Sequence, residues 1–191
     1  MRRIATIFIL LAGALPGAAL GIATATRDFF VRLPGTDAAT TPSTAGLAVE
    51  DRHLPYSTPP AWSLRSRGIV HMRVVRAGDG RLSYHWRIEA DPSSRDQVQG
   101  LEIRGFPRVV YQAYWKRDGL GTIAPDYVGG TNRTDGWEMQ FDFAWPNGIR
   151  AGQSSRFFIL TTSARYSRPA YVRVRFGNTW SAWLPALAPA L

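Results

Sequence analysis

The sequence predicts a mostly-β protein: a single antiparallel β-sandwich of about seven strands, preceded by an N-terminal signal helix and a flexible linker. Three observations predict it. Apolar residues recur at every second position in four runs after Gly68. Clusters of Gly, Pro, Asn, Asp and Ser punctuate those runs. No long helical period follows residue 30.

The chain opens on Arg2 and Arg3, followed by an uncharged run from Ile4 to Thr26. The arginines supply a positive n-region, Ile4 to Leu15 an apolar h-region, and Pro16-Gly17 a helix break. Ala23-Thr24-Ala25 has the small-x-small form that signal peptidase accepts, so residues 1–25 read as an export signal cut after Ala25, with Ala19 as a second candidate. The rival reading is an uncleaved anchor, since the run reaches the roughly 20 residues that a bilayer requires. Against it, the second half is Pro, Gly, Ala and Thr. The expected location is periplasmic or secreted. In the anchored alternative the domain faces outward from the inner membrane, with membrane contact only through residues 4–25.

Residues 26–62 are rich in Pro, Thr, Ala and Ser without a clear period and read as a linker or extended arm. Leu47 to Leu54 is a candidate edge strand within it. Residues 63–184 form the expected sandwich domain, and the Ala-Pro-rich end at 185–191 reads as a loose tail.

Within the domain, Val70, Met72 and Val74 alternate with His71 and Arg73. Leu82, Tyr84, Trp86 and Ile88 alternate with Ser83, His85, Arg87 and Glu89. Trp137 to Trp145 and Val172 to Phe176 repeat the pattern. Strand side chains point alternately to the two faces, so each run is a half-buried strand. Leu101–Gly105, Val109–Trp115 and Phe157–Thr162 are shorter candidates. About seven such strands suggest an immunoglobulin-like sandwich.

The first hairpin allows a register prediction. Its two apolar rows must share a face, and opposed residues have a constant index sum. A two-residue loop makes that sum odd and sets Met72 against His85. A three-residue loop, Gly78–Gly80, pairs Val74 with Tyr84, Met72 with Trp86 and Val70 with Ile88, with Gly80 at positive φ. Arg73 then opposes His85, and His71 opposes Arg87. A five-residue loop is the alternative and would make His71 and His85 direct neighbours.

Composition excludes several chemistries. There is no cysteine, which removes disulfides, thiolate metal sites, cysteine nucleophiles and a cysteine-linked lipid anchor. Residues 63–191 carry eighteen Arg plus Lys against ten acids, a net charge of +8, while residues 26–62 carry three against four. Outside the cytoplasm such a basic domain meets anionic envelope polymers, glycans or another envelope protein rather than nucleic acid. His71, His85 and Glu89 would be the candidate ligands of a metal, but Arg73 and Arg87 beside them repel a cation; no metal or cofactor is expected. No Gly-x-Ser-x-Gly, phosphate loop or dinucleotide fingerprint occurs. Glu138 and Asp142 share a strand face about 13 Å apart at ~3.3 Å per residue, too far for glycoside chemistry. Asp91 and Asp96 flank an irregular stretch, but Arg95 intrudes on a calcium site.

Seven Trp and seven Tyr remain. Tyr111, Tyr114, Trp115 and Lys116 end one candidate strand and are the expected ligand-binding residues, because sugar rings stack on exposed aromatic faces. Trp180 and Trp183 lie past the last strand.

Gly136-Trp137, Phe143-Ala144-Trp145, the turn Gly148-Ile149-Arg150-Ala151-Gly152-Gln153-Ser154-Ser155, and Pro169-Ala170-Tyr171-Val172 resemble exported bacterial β-sandwich domains of the kind found in PEP-CTERM-type envelope proteins. The resemblance spans roughly Tyr84 to Phe176 and implies a fold, not an activity. The C-terminal sorting signal of those proteins has no counterpart here. The expected function is therefore an exported non-enzymatic β-sandwich with a binding or structural role in the bacterial envelope. A carbohydrate-binding module is the alternative, and an envelope hydrolase a third reading.

Overall fold

The computed structural model describes residues 21–22, 29–109, 111–143 and 146–190. Among them lie fourteen strands and one short 3-10 turn, Pro42–Thr44. The strands are β1 (Gly21–Ile22), β2 (Phe29–Arg32), β3 (Gly35–Thr36), β4 (Leu47–Ser57), β5 (Arg67–Arg76), β6 (Leu82–Ala90) and β7 (Gly100–Phe106). They continue with β8 (Tyr111–Lys116), β9 (Tyr127–Arg133), β10 (Gly136–Asp142), β11 (Phe158–Thr161), β12 (Tyr166–Phe176), β13 (Thr179–Trp180) and β14 (Leu184–Ala190).

They form two sheets. The first runs β1-β8-β11-β6-β5-β4, with β3 also beside β8. The second runs β13-β12-β7-β10-β9-β2, with β14 also beside β12. Every strand pairing is antiparallel except β3 with β8. The protein is mostly β, and the sheets face each other in a sandwich-like arrangement.

The core is an aromatic seam between the sheets. Trp86 of β6 meets Phe106 of β7 and Phe141 of β10, each with ring centroids 6.0 Å apart. Phe141 meets Phe158 of β11 at 4.7 Å, and Phe106 meets Tyr111 of β8 at 5.6 Å. Val70, Met72, Val74, Val172 and Val174 fill the flanks without solvent exposure. Each such side chain contributes roughly 1.5–3 kcal/mol by leaving water. Trp86 Nε1 is buried without a partner among the described residues. That costs about 1–3 kcal/mol, which the burial of the large ring offsets.

The β5–β6 hairpin has the three-residue register. Val70 pairs with Ile88, Met72 with Trp86 and Val74 with Tyr84. Ala77 N donates to Arg81 O at 2.9 Å, and Gly80 has φ +83°. Arg73 opposes His85 and His71 opposes Arg87.

Elsewhere the structure departs from the sequence reading. Fourteen strands replace about seven, because short strands line the edges and two regions given no strand in the sequence reading, at β9 and β14, are paired. The stretch read as a linker also holds β2 and β3, and its candidate edge strand, Leu47 to Leu54, is present as β4, which pairs along its length with β5 at the edge of the first sheet and buries Leu54 and Tyr56. Gly129-Gly130 lies inside β9, where the missing side chains leave room for Phe29 and Phe30 of β2. The end read as a loose tail is β14, paired with β12 from Leu184 through Ala190, with Ala186 and Ala188 in the core. Its small residues fit between sheets already filled by aromatics. Pro185 and Pro189 lie four apart, so their missing N–H groups share one side, which an edge strand can turn away from its partner. The signal helix expected over residues 1–25 lies outside the described residues, save Gly21–Ile22, which are extended. Ala144 and Trp145 also lie outside them. Among the described residues, no helix is long and apolar enough to cross a membrane.

Candidate functional site

The outer face of the second sheet carries a continuous ladder of arginines and tryptophans. β12 alternates, so Tyr171, Arg173 and Arg175 share its outer row while Val172, Val174 and Phe176 enter the core. The chain then turns back, and Ser181 fixes the returning segment: its N donates to Val174 O at 2.8 Å, and its Oγ accepts from Val174 N at 2.9 Å. This clamp lays Trp180 and Trp183 over the arginine row. The Arg173 guanidinium stands 4.3 Å from the Trp180 ring centroid and 4.4 Å from that of Trp183. Arg104 of β7 covers Trp183 at 4.9 Å, and Arg175 lies 6.0 Å from Trp180. The order is Arg104, Trp183, Arg173, Trp180, Arg175.

Each ladder arginine also holds a carboxylate. Arg173 forks onto Glu102 through Nε and Nη2, both at 2.9 Å. Arg104 and Arg133 share Glu138 at 2.9 and 2.8 Å, and Arg175 reaches Asp142 at 2.6 Å. At Glu138, burial opposes ionisation, but bonds and charge from Arg133 and Arg104 outweigh it and hold the carboxyl below its ordinary value. At Glu102, burial wins and raises the carboxyl despite the Arg173 fork. Glu102, Glu138 and Asp142 line one hollow of about 210 Å³. Two carboxyls pushed in opposite directions are the pattern of an acid–base pair. Here both oxygens of Glu102 accept from Arg173, and both oxygens of Glu138 accept from arginines, so the pattern is that of an ion-pair network.

At the Arg104 end the ladder opens into a groove of about 550 Å³, walled by Arg104, Asp135, Arg168, Pro169, Tyr171 and Trp183. Arg168 Nη2 donates to Gly105 O at 2.7 Å rather than to a carboxylate. Tyr171 is 52% exposed. Sequence reasoning placed Trp180 and Trp183 only past the last strand. The alternation of Arg173 and Arg175, followed by two tryptophans three apart, was the available signal.

The residues expected to bind ligand do not share an exposed face. Tyr111 is 1% exposed, sits in the core, and donates its hydroxyl to Pro107 O at 2.8 Å. Tyr114 points to the opposite side of β8 and is 3% exposed, its hydroxyl on Gln112 Oε1 at 3.1 Å. Burial raises both phenols. Trp115 is half-buried, against Gly35 and under Arg156 at 5.5 Å, and Lys116 is half-buried beside it.

The histidines are equally committed. His85 is 3% exposed, with Nε2 at 2.8 Å from Ser83 Oγ and its ring edge-on to Phe157. Arg73 and Arg87 flank the same Phe157 ring. The Ser83–His85 pair is buried on one strand. His71 meets Glu89 at 3.2 Å, Arg87 at 3.1 Å and the His53 ring at 4.7 Å. Among the described residues, no group of three or more His, Asp or Glu side chains is placed to hold a metal ion.

No protein-family model, curated protein or solved structure matches this chain.

Two outcomes follow from these contacts. Arg173→Ala leaves Glu102 buried without its counter-ion. Denaturant unfolding should show a loss of about 3–5 kcal/mol, partly recovered by adding Glu102→Gln; a loss under about 1 kcal/mol contradicts the ladder. Burial, then the charges of Lys116 and Arg73, depress His85 from 6.5 to about 3. The unfolded chain therefore binds a proton over that interval which the folded chain refuses, and stability falls as pH drops from 6.5 toward 3. His85→Gln should reduce the loss of stability between pH 7 and pH 4 relative to wild type; an equal loss refutes the assignment.

Proposed function

We propose that the chain is an exported, non-enzymatic binding domain of immunoglobulin-like sandwich type, acting in the bacterial envelope, and that it recognises a glycan in the groove at Arg104, Tyr171 and Trp183. The observation that carries this reading is Tyr171: a half-exposed aromatic face at the mouth of a groove whose far wall is locked by the ladder. A sugar ring stacks on such a face, while Asp135 and Arg168 offer an acceptor and a donor to its hydroxyls. The wall is held by ion pairs before any ligand arrives, so binding orders few side chains and loses little entropy. Export is supported by Arg2, Arg3 and the apolar run behind them. The non-enzymatic reading is supported by the burial of the Ser83–His85 pair and by the arginines on every carboxylate of the ladder. The resemblance to exported envelope sandwiches agrees with export.

A glycan array probed with the purified protein tests the proposal. The expected result is binding to a restricted set of glycans that Tyr171→Ala weakens roughly tenfold, about 1.4 kcal/mol, without shifting the melting temperature. Binding that survives Tyr171→Ala unchanged overturns the groove. Absence of any hit overturns glycan recognition in favour of a structural role.

A further inference from the structure

The opposite end of the second sheet carries a separate feature. The loops after β4, after β6 and before β11 converge at the start of β7, and two open hollows lie side by side across them. One, of about 360 Å³, is lined by Ser57, Thr58, Arg65, Ser66, Arg67 and Ser93. The other, of about 450 Å³, is lined by Ser94, Arg95, Asp96, Gln97 and Arg150. The hollows meet at Ser93-Ser94, and the loops are tied there: Arg95 N donates to Arg65 O at 2.9 Å, and Ser94 Oγ to Arg67 O at 2.9 Å.

The charges are unevenly used. Arg67 bridges Asp91 at 3.3 Å. Asp96 accepts from Trp62 Nε1 at 3.3 Å and from Gln97 N at 2.9 Å. Arg65, Arg95 and Arg150 are exposed, and their guanidinium groups make no ion pair or hydrogen bond among the described residues. The arginines of the opposite end, by contrast, are largely spent on the ladder carboxylates. Four arginines therefore face two aspartates across a concave, hydroxyl-lined surface.

We infer that these paired hollows bind an acidic polysaccharide, its repeated acid groups meeting Arg65, Arg95 and Arg150 and its hydroxyls meeting the serine and threonine side chains. Guanidinium forks suit carboxylate and phosphate oxygens bidentately. Two contiguous hollows on tied loops suit an extended polymer that crosses both, whereas the plane of a bilayer meets a convex surface. The site does not depend on the Tyr171 groove and lies at the other end of β7 from it.

Sodium polygalacturonate is the probe, with uncharged dextran and vesicles containing anionic phospholipid as the other arms. Titration with the full chain should show polygalacturonate binding that weakens roughly tenfold between about 50 and 200 mM salt, as contacts of this kind are screened, and no dextran binding. The triple variant Arg65→Gln, Arg95→Gln, Arg150→Gln should lose roughly tenfold more affinity than the charge-matched control Arg81→Gln, Arg108→Gln, Arg117→Gln, with both melting like wild type. Tyr171→Ala should leave this binding intact. Equal losses in the two triple variants show a net-charge effect and overturn the site. So do an absence of polymer binding, equal binding to dextran, or tighter binding to the vesicles than to the polymer.

Discussion

The contact on which the molecule depends is the aromatic seam between its sheets. Trp86, Phe106, Phe141 and Phe158 come from four strands, two in each sheet, and their rings meet across the interior at tilts of 43° to 55°. The arrangement is sensitive to register: a one-residue slip of β6 would send Trp86 outward and bring His85 or Arg87 into the core. The Gly78–Gly80 loop fixes that register on the first sheet. On the second, a bulge between Trp137 and Glu138 lets β10 stay in phase with β7. Once the seam closes, the outer faces of both sheets are set, because each side chain that does not enter the core must leave it.

The two outer faces have different fates. That of the first sheet is largely covered: Ser83, His85, Tyr114 and Ile159 are all buried there, and the Pro42–Thr44 turn packs on β11. A histidine held neutral in such a layer is structural. The outer face of the second sheet stays open, but its charges are organised. Stacking each guanidinium against indole while its nitrogens hold a carboxylate satisfies both the flat faces and the edge of the group. Such a wall resists rearrangement, which is what a preformed groove at its end requires.

The alternation in β5, β6, β10 and β12 was legible because large apolar residues recur at period two. The hairpin register followed from index parity alone. β14 was not legible, because Ala and Pro have little strand propensity and their burial depends on space left by distant aromatics. β9 was hidden by Gly129-Gly130, whose role is to admit the rings of Phe29 and Phe30, a long-range fit that no local window contains. The misplacement of Tyr114 has the same origin. It was read as an exposed ligand-binding aromatic, yet chain from the region read as a linker covers it. The Arg–Trp ladder was half-visible: the arginine row could be read, but the return of Trp180 and Trp183 over it depends on the Ser181 clamp.

The central claim is that the sheets close on each other through these rings. A double-mutant cycle of Phe141→Leu and Phe158→Leu, measured by denaturant unfolding, tests it most directly, since the two residues lie on different sheets with centroids 4.7 Å apart. Closure predicts a coupling energy of about 0.5–3 kcal/mol between them. Additivity within about 0.3–0.5 kcal/mol would mean that the rings do not touch, and would contradict the architecture described.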